Sequence, residues 1–435
     1  MKILLIEQLR TRKTSYKAFE KIMLTSFSIL PTLYMRRLAA ITPKKHHITL
    51  INERYEPVIY SDDFDIVVIH FTTASANIAY ETADNFKRLN VPVILCGLHA
   101  SAMPNEGLKH ADSILMGRGE ANWITLLKDA EINSLKQKYD PKPYESLSKS
   151  IPPTNVRLPG FQLMGAIEAT RGCPYLCSFC PESNTPNGSH YYKRSITEII
   201  EEIKKAPQRI IMFYDASLTI DPVFTKKLFK QMIPLKKKFF CNGNVDVLSK
   251  DDELIELSKQ AGCIGWLIGF ESISQKTIDS VNKKTNTVSI YKQAIDHIHL
   301  HKMMVIGDFM FGFDTDTKDV FQTTVKTIIG LGIDVADFTI VTPFPGTPFY
   351  EELKKQNRIT SKNWNDYTMY SVVYQPKQMN KEELIDGIYD VYRRFYAPKN
   401  TLLRILKGAR FGFYPFFSIL SRNFISMIAS TKIRN

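Results

Sequence analysis

Cys173, Cys177 and Cys180 lie within the eight residues CPYLCSFC, directly after Arg171 and Gly172. Three soft thiolates on one loop can hold three corners of a four-iron cluster and leave the fourth iron open to another ligand. Zinc and plain buried thiols are the alternatives. A structural zinc site wants a fourth Cys or His at short spacing, and neither follows until His190. Cys96, Cys241 and Cys263 are scattered and read as ordinary buried residues. Six cysteines in 435 residues, half of them in one cluster, make no disulfide framework. The opening MKILLIEQLR lacks a basic segment leading an apolar run and a cleavage site. A reducing, cytoplasmic setting is expected.

The cysteine loop needs a scaffold that turns it inward. Downstream, MGAIEAT, RIIMFYD, FFCNGNVDV, IGWLIGFES, VIGDFMFGF and ADFTIVTPF are strand candidates separated by helical stretches. Six such units over 161–345 predict an incomplete parallel barrel, whose strand C-terminal ends face the reaction chamber. Upstream, ILLI, HITLI, DIVVIHF, PVILCG and SILMGRGE alternate with helical segments, which predicts a doubly wound α/β domain over 1–135. Ligands of such sheets sit beyond the strand C-termini, where Cys96–Ala100 and Gly117–Glu120 form glycine-bearing turns. Residues 136–160 are polar and proline-bearing and read as a linker; 161–355 is the barrel unit and 356–435 a mainly helical region.

The CxxxCxxC pattern with aromatic Phe179 before its last cysteine resembles the radical S-adenosylmethionine (SAM) superfamily. Phe213-Tyr214-Asp215, AGCIGWLIGFES, GDFMFGFDTDT and TPFPGTPFYEEL follow in the order and spacing of members that carry an N-terminal cobalamin-binding domain. PVILCGLHASAMPNE and ADSILMGRGEANW resemble the strand-end loops of that domain. The resemblance implies a Rossmann-like cobalamin domain, a partial (β/α)6 TIM-type barrel and a 4Fe-4S cluster on Cys173, Cys177 and Cys180. It implies SAM bordered by Phe179 and bound by Glu271 or Asp215. As alternatives, Glu271 caps the following helix and Asp215 shapes a turn. Thr72, Thr73, Ser75, Gly97, His99, Gly119 and Glu120 would line the corrin and its tail. The Asp-x-His-x-x-Gly pattern of histidine-ligated cobalamin is missing from residues 1–140, and Cys96-Gly97 replaces the usual Gly-Gly. The implied form is therefore base-off, without a protein histidine on cobalt. An external electron donor of flavodoxin or ferredoxin type is implied too.

The implied reaction is methylation, or cyclisation or coupling, of an unactivated carbon by a 5′-deoxyadenosyl radical. Net charge is +13, unevenly placed: residues 1–45 carry +8, the last 45 carry +9 with no acid, and the body is about −4. Basic ends and the aromatic tail FGFYPFFSILSRNFISMIAS favour a hydrophobic or lipid substrate and peripheral membrane contact, the alternative for the tail being a C-terminal helix packed on its own barrel. Pro415, Arg422 and Asn423 interrupt that tail before it reaches the length of a bilayer span. A tetrapyrrole, peptide or small natural product handled without cobalamin is the catalytic alternative; a non-catalytic cobalamin- or cluster-binding sensor is another. A nucleic-acid substrate, as for transfer-RNA thiomethyltransferases, would call for a second N-terminal cysteine cluster and a small β-barrel tail. Here that domain holds only Cys96 and the tail reads helical.

Overall fold

The computed structural model describes residues 1–8, 33–53, 55–142 and 163–431. Two six-stranded parallel sheets dominate it.

The first sheet comprises β1 (Lys2–Gln8), β2 (His47–Asn52), β3 (Ile66–Phe71), β4 (Val93–Cys96), β5 (Ser113–Leu115) and β6 (Lys138–Tyr139), in the order β2-β1-β3-β4-β5-β6. Strands covered on both faces read as unbroken apolar runs, as ILLI and IVVI do. Helices α1 (Tyr34–Ile41) and α3 (Glu120–Glu131) pack on one face through Met35, Leu38, Trp123 and Leu126, and α2 (Ala76–Arg88) covers the other through Ala79, Ala83 and Phe86. Strand order reverses between β1 and β3, so the ligand crevice of this topology lies beyond Gln8 and Phe71. The sheet runs on to Tyr139, because β6 pairs with β5 inside the segment expected to be linker. The rest of that segment, 143–160, lies outside the described residues.

The second sheet holds β7 (Met164–Ile167) and, after the short hairpin strands β8 (Thr170–Arg171) and β9 (Tyr192–Lys193), β10 (Ile210–Phe213), β11 (Lys238–Asn242), β12 (Cys263–Glu271), β13 (Met304–Phe311) and β14 (Val335–Ile340). All six are parallel in the order β14-β13-β12-β11-β10-β7, with β7 and β14 left as open edges: the expected incomplete barrel.

Helices α4 (Val320–Leu331) and α5 (Lys381–Phe395) cover the β13–β14 side, with Gly387 of α5 so close to the Phe321 ring that no side chain would fit. Then follow α6 (Pro398–Gly408) and α7 (Phe413–Thr431). The tail, expected to be helical and too interrupted to span a bilayer, is one continuous helix. Pro415 sits in its first turn, where a missing N–H removes no intrahelical bond. Arg422 and Asn423 point inward, and Asn423 Nδ2 donates to the Asp334 carbonyl at 2.9 Å. Ile419 packs with Ile264, Met304, Ile306 and Val335 from the starts of β12–β14, so α7 stoppers the N-terminal end of the barrel. Among the described residues no helix is long and apolar enough to cross a membrane.

Candidate active site

The cysteine loop follows β8 and is braced by backbone bonds. Gly172 takes a left-handed conformation (φ 77°), and a Cβ there would collide with the carbonyl oxygen of His190. Cys173 N–H donates to the Gly188 carbonyl (2.9 Å) and Ser178 N–H to that of Val281 (3.0 Å). Asn184 Nδ2 donates to the carbonyls of Cys177 (2.9 Å) and Cys180 (2.8 Å), and Asn282 Nδ2 to that of Leu176 (3.1 Å). Cys177 is buried, and Cys173 and Cys180 are half-buried. Burial pushes the Cys177 thiol up to about 12, against the pull of the Lys283 ammonium, and the other two thiols are near enough to add to the rise. Burial raises Cys173 as well. Such thiols give up their protons to a metal rather than to water. Among the described residues no three ligating side chains are already drawn around one point. The donor chemistry, three adjacent thiols beside a cation on a fixed loop, nevertheless suits an iron–sulfur cluster, with the thiols turning inward to grip it.

Beside Cys180 opens a cavity of about 360 Å³ whose lining includes Phe179, Glu271, Met310, Thr342 and Phe344. Phe179 meets Phe313 edge to face at 6.1 Å. Glu271 closes β12 at a register shift and holds φ at 61°, a conformation unfavourable to any residue with a side chain. The turn is held from outside: Asn286 Nδ2 donates to the carbonyls of Gly269 (2.9 Å) and Phe270 (3.0 Å), and the Tyr291 hydroxyl contacts the carbonyls of Phe270 and Ser272. That strain aims the Glu271 carboxylate at Lys283, whose Nζ donates to Oε1 at 2.7 Å. Burial alone would lower the Lys283 pKa, but Glu271 and Cys177 outweigh it and hold the side chain charged. One ammonium thus stands between a cavity carboxylate and the thiols.

Asp308 and Asp337, paired in register on β13 and β14, line the same cavity. Burial and the neighbouring Asp337 push the Asp308 carboxyl well above the usual carboxylate range. Asp337 is clamped by Arg422 of α7, with Nη2 to Oδ2 at 2.7 Å. Asp215 lies outside the cavity lining. Its carboxylate accepts from the backbone N–H of Ala169 (3.1 Å), from Thr170 N–H and from Thr170 Oγ1 (2.6 Å), tying the end of β10 to β8. Lys283, Asp308 and Asp337 do not stand out in the sequence. Each aspartate is a lone acid inside an apolar strand, a signal present in GDFMF and ADFTI; Lys283, in VNKKTN, resembles any solvated lysine.

At the first sheet, Thr72 and Ser75 form a reciprocal cap on the turn Thr73–Ser75, and Ser75 Oγ donates to the Gln8 carbonyl at 2.9 Å, directly at the β1/β3 reversal. Gly97 (φ 109°) lets the β4 turn pass against the Phe71 carbonyl. His70, stacked on Tyr34 at 4.4 Å, is pushed down to about 4 by burial and stays neutral. His99 is sealed: Nδ1 lies 3.2 Å from Thr73 Oγ1, and its ring meets Trp364 edge to face at 4.8 Å. Glu120, after left-handed Gly119, is engaged by Arg171 Nη2 at 2.7 Å. That pair begins a buried network between the sheets in which Glu168 meets Arg171 (2.7 Å), Arg37 (3.4 Å) and Arg118 (3.4 Å), and Arg118 also pairs with Glu182. The crevice it encloses, lined by Gly117, Gly119, Gly172 and His190, holds about 40 Å³, room for water and not for a macrocycle. At this edge Thr72 is exposed, whereas Thr73, Ser75, Gly97 and Gly119 are buried.

The family profile described as the radical SAM superfamily matches residues 167–328. Bacteriochlorophyllide d C-8(2)-methyltransferase of Chlorobaculum tepidum is 31% identical over 399 residues, covering 86% of this chain and 87% of that protein. Bacteriochlorophyllide d C-12(1)-methyltransferase of the same organism is 27% identical over 422 residues, covering 94% and 91%. The radical SAM methyltransferase TsrM from Kitasatospora setae, solved with cobalamin and a [4Fe-4S] cluster, superimposes with a TM-score of 0.68 at 14% identity over 98% of this chain and 99% of that one. With the cysteine loop, the open six-stranded barrel and the doubly wound sheet before it, these matches establish that the chain belongs to the radical SAM superfamily, among the enzymes that join a cobalamin-type N-terminal domain to the radical SAM core.

Proposed function

We propose that this enzyme is a cobalamin-dependent radical SAM methyltransferase acting on an unactivated side-chain carbon of a chlorin-type tetrapyrrole. The observation that carries the reading is the near full-length match to two bacteriochlorophyllide methyltransferases, across both the first sheet and the barrel. When bound, the cluster, SAM and cobalamin together supply a 5′-deoxyadenosyl radical and a transferable methyl group. Cys173, Cys177 and Cys180 hold the cluster. Phe179 borders the adenine. Glu271, fixed by its strained turn and Lys283, accepts hydrogen bonds from the amino or ribose groups of SAM, while Asp215 holds β8 and the root of the cysteine loop in place. Thr72, Thr73, Ser75, Gly97 and Gly119 border the cobalamin; His99 and Glu120 support it from behind. The apolar wall of Met310, Ile340, Val341 and Phe344 excludes water from the radical.

The test is anaerobic reconstitution with iron, sulfide and hydroxocobalamin, followed by turnover of bacteriochlorophyllide d with SAM labelled in its methyl group. Label in the product, 5′-deoxyadenosine in solution and loss of both in the C173A/C177A/C180A variant are expected. 5′-Deoxyadenosine without methylated pigment would keep the radical chemistry and remove the substrate class. Neither product, from a protein carrying its cluster, would overturn the reading.

A further inference from the structure

The two C-terminal helices turn an apolar face to water that nothing in their own fold requires. On α6, Leu402 and Leu406 are 57% and 62% exposed; on α7, Phe413, Phe417 and Phe424 are 73%, 59% and 52% exposed. Phe413 and Phe417 stack on each other at 6.3 Å in the open. The opposite side of α7 carries Ile419 and Asn423, which pack on the barrel end. An exposed aromatic stripe of this kind marks an interaction surface.

The charge around it identifies the partner. Lys407 and Arg410 stand at the junction of the two helices, exposed. The fold adds two cations from the starts of β10 and β11: Arg209 and Lys238 flank the Tyr414 ring at 5.8 and 5.6 Å. No acidic residue occurs anywhere in 391–435. A second copy of this chain would press the same positive rim against itself. An anionic bilayer attracts the rim and accepts the aromatic stripe at headgroup depth.

We propose that α6 and α7 form a docking face for an anionic lipid surface, on which the protein lies without crossing it. The face stands independently of the substrate and cofactor assignments above. The experiment is co-sedimentation of the full-length, anaerobically purified protein with vesicles of phosphatidylcholine alone and of phosphatidylcholine with about one-third phosphatidylglycerol, at low and high salt. Binding to the anionic vesicles only, weakened by salt, is expected. F413S/F417S and K407E/R410E should each weaken partition on the order of tenfold, with thermal unfolding unchanged. Protein remaining in the supernatant with both vesicle types, or variants binding as tightly as the parent, would overturn the proposal. So would a dimer in sedimentation velocity that F413S/F417S splits into monomers, which assigns the face to a second copy.

Discussion

At Glu168 three guanidiniums meet one fully buried carboxylate. Burial alone would raise its pKa, but Arg171, Arg118 and Arg37 outweigh that and hold it at about 2. Its folded value is depressed, so the stabilisation is present above the unfolded pKa near 4.5 and is lost as pH falls towards 2; over that window it amounts to about 3 kcal/mol. Glu168→Gln should lower stability at pH 7 by about 3 kcal/mol and flatten the acid limb of denaturant midpoints measured from pH 5 to 3. Glu271→Gln keeps an acceptor but removes the charge facing Lys283. It is expected to raise the KM for SAM on the order of tenfold, read from 5′-deoxyadenosine formation, with iron content unchanged. The thiols were legible in the sequence because three cysteines within eight residues of a chain without disulfides point to a shared metal centre. Glu271 was legible only as an acid at a strand end. That Glu120 is spent on Arg171, and that His99 is sealed beneath Trp364, was hidden, because both depend on residues far away in the chain.

Among elements, α7 bears out the reading of the tail as a helix packed on its own barrel. Arg422 and Asn423, read as interruptions of a bilayer span, are the inward polar pair that anchors it to β14. A helix that stoppers a barrel must satisfy buried backbone and carboxylates as well as fill space, so its buried side is mixed. Ile419→Ala should cost about 2–4 kcal/mol in denaturant melts. Removing residues 399–435 outright would therefore confound lipid binding with loss of the barrel stopper, which is why point changes on the outer stripe are the cleaner test. The long strands were legible because parallel strands covered on both faces stay apolar at every position. The strands β6, β8 and β9 have two residues each, too few for any period to register, and exist because their neighbours template them.

At the scale of the whole molecule, two parallel sheets are joined by charge, through a buried Glu168 and a half-buried Arg118. The sequence divided the chain into a doubly wound unit, a barrel and a helical end, because repeated β-then-α alternation survives in any window. It held no sign of the Arg118 bridge to both Glu168 and Glu182, which spans the two units. Arg118→Ala is expected to speed tryptic cleavage between the units by about tenfold while leaving far-ultraviolet circular dichroism unchanged.

The direction of the barrel strands carries one more consequence. Arg209, Lys238 and Tyr414 cluster where strands begin, whereas Phe179, Thr342 and Phe344 open the cavity where strands end. A protein resting on lipid through α6 and α7 therefore holds its mouth towards the aqueous side, about one strand length above the headgroups. On that footing its substrate would arrive from above, by diffusion or on a carrier, and not sideways from the leaflet. Pigment pre-dissolved in the same vesicles should accordingly turn over no faster than pigment presented on a soluble carrier.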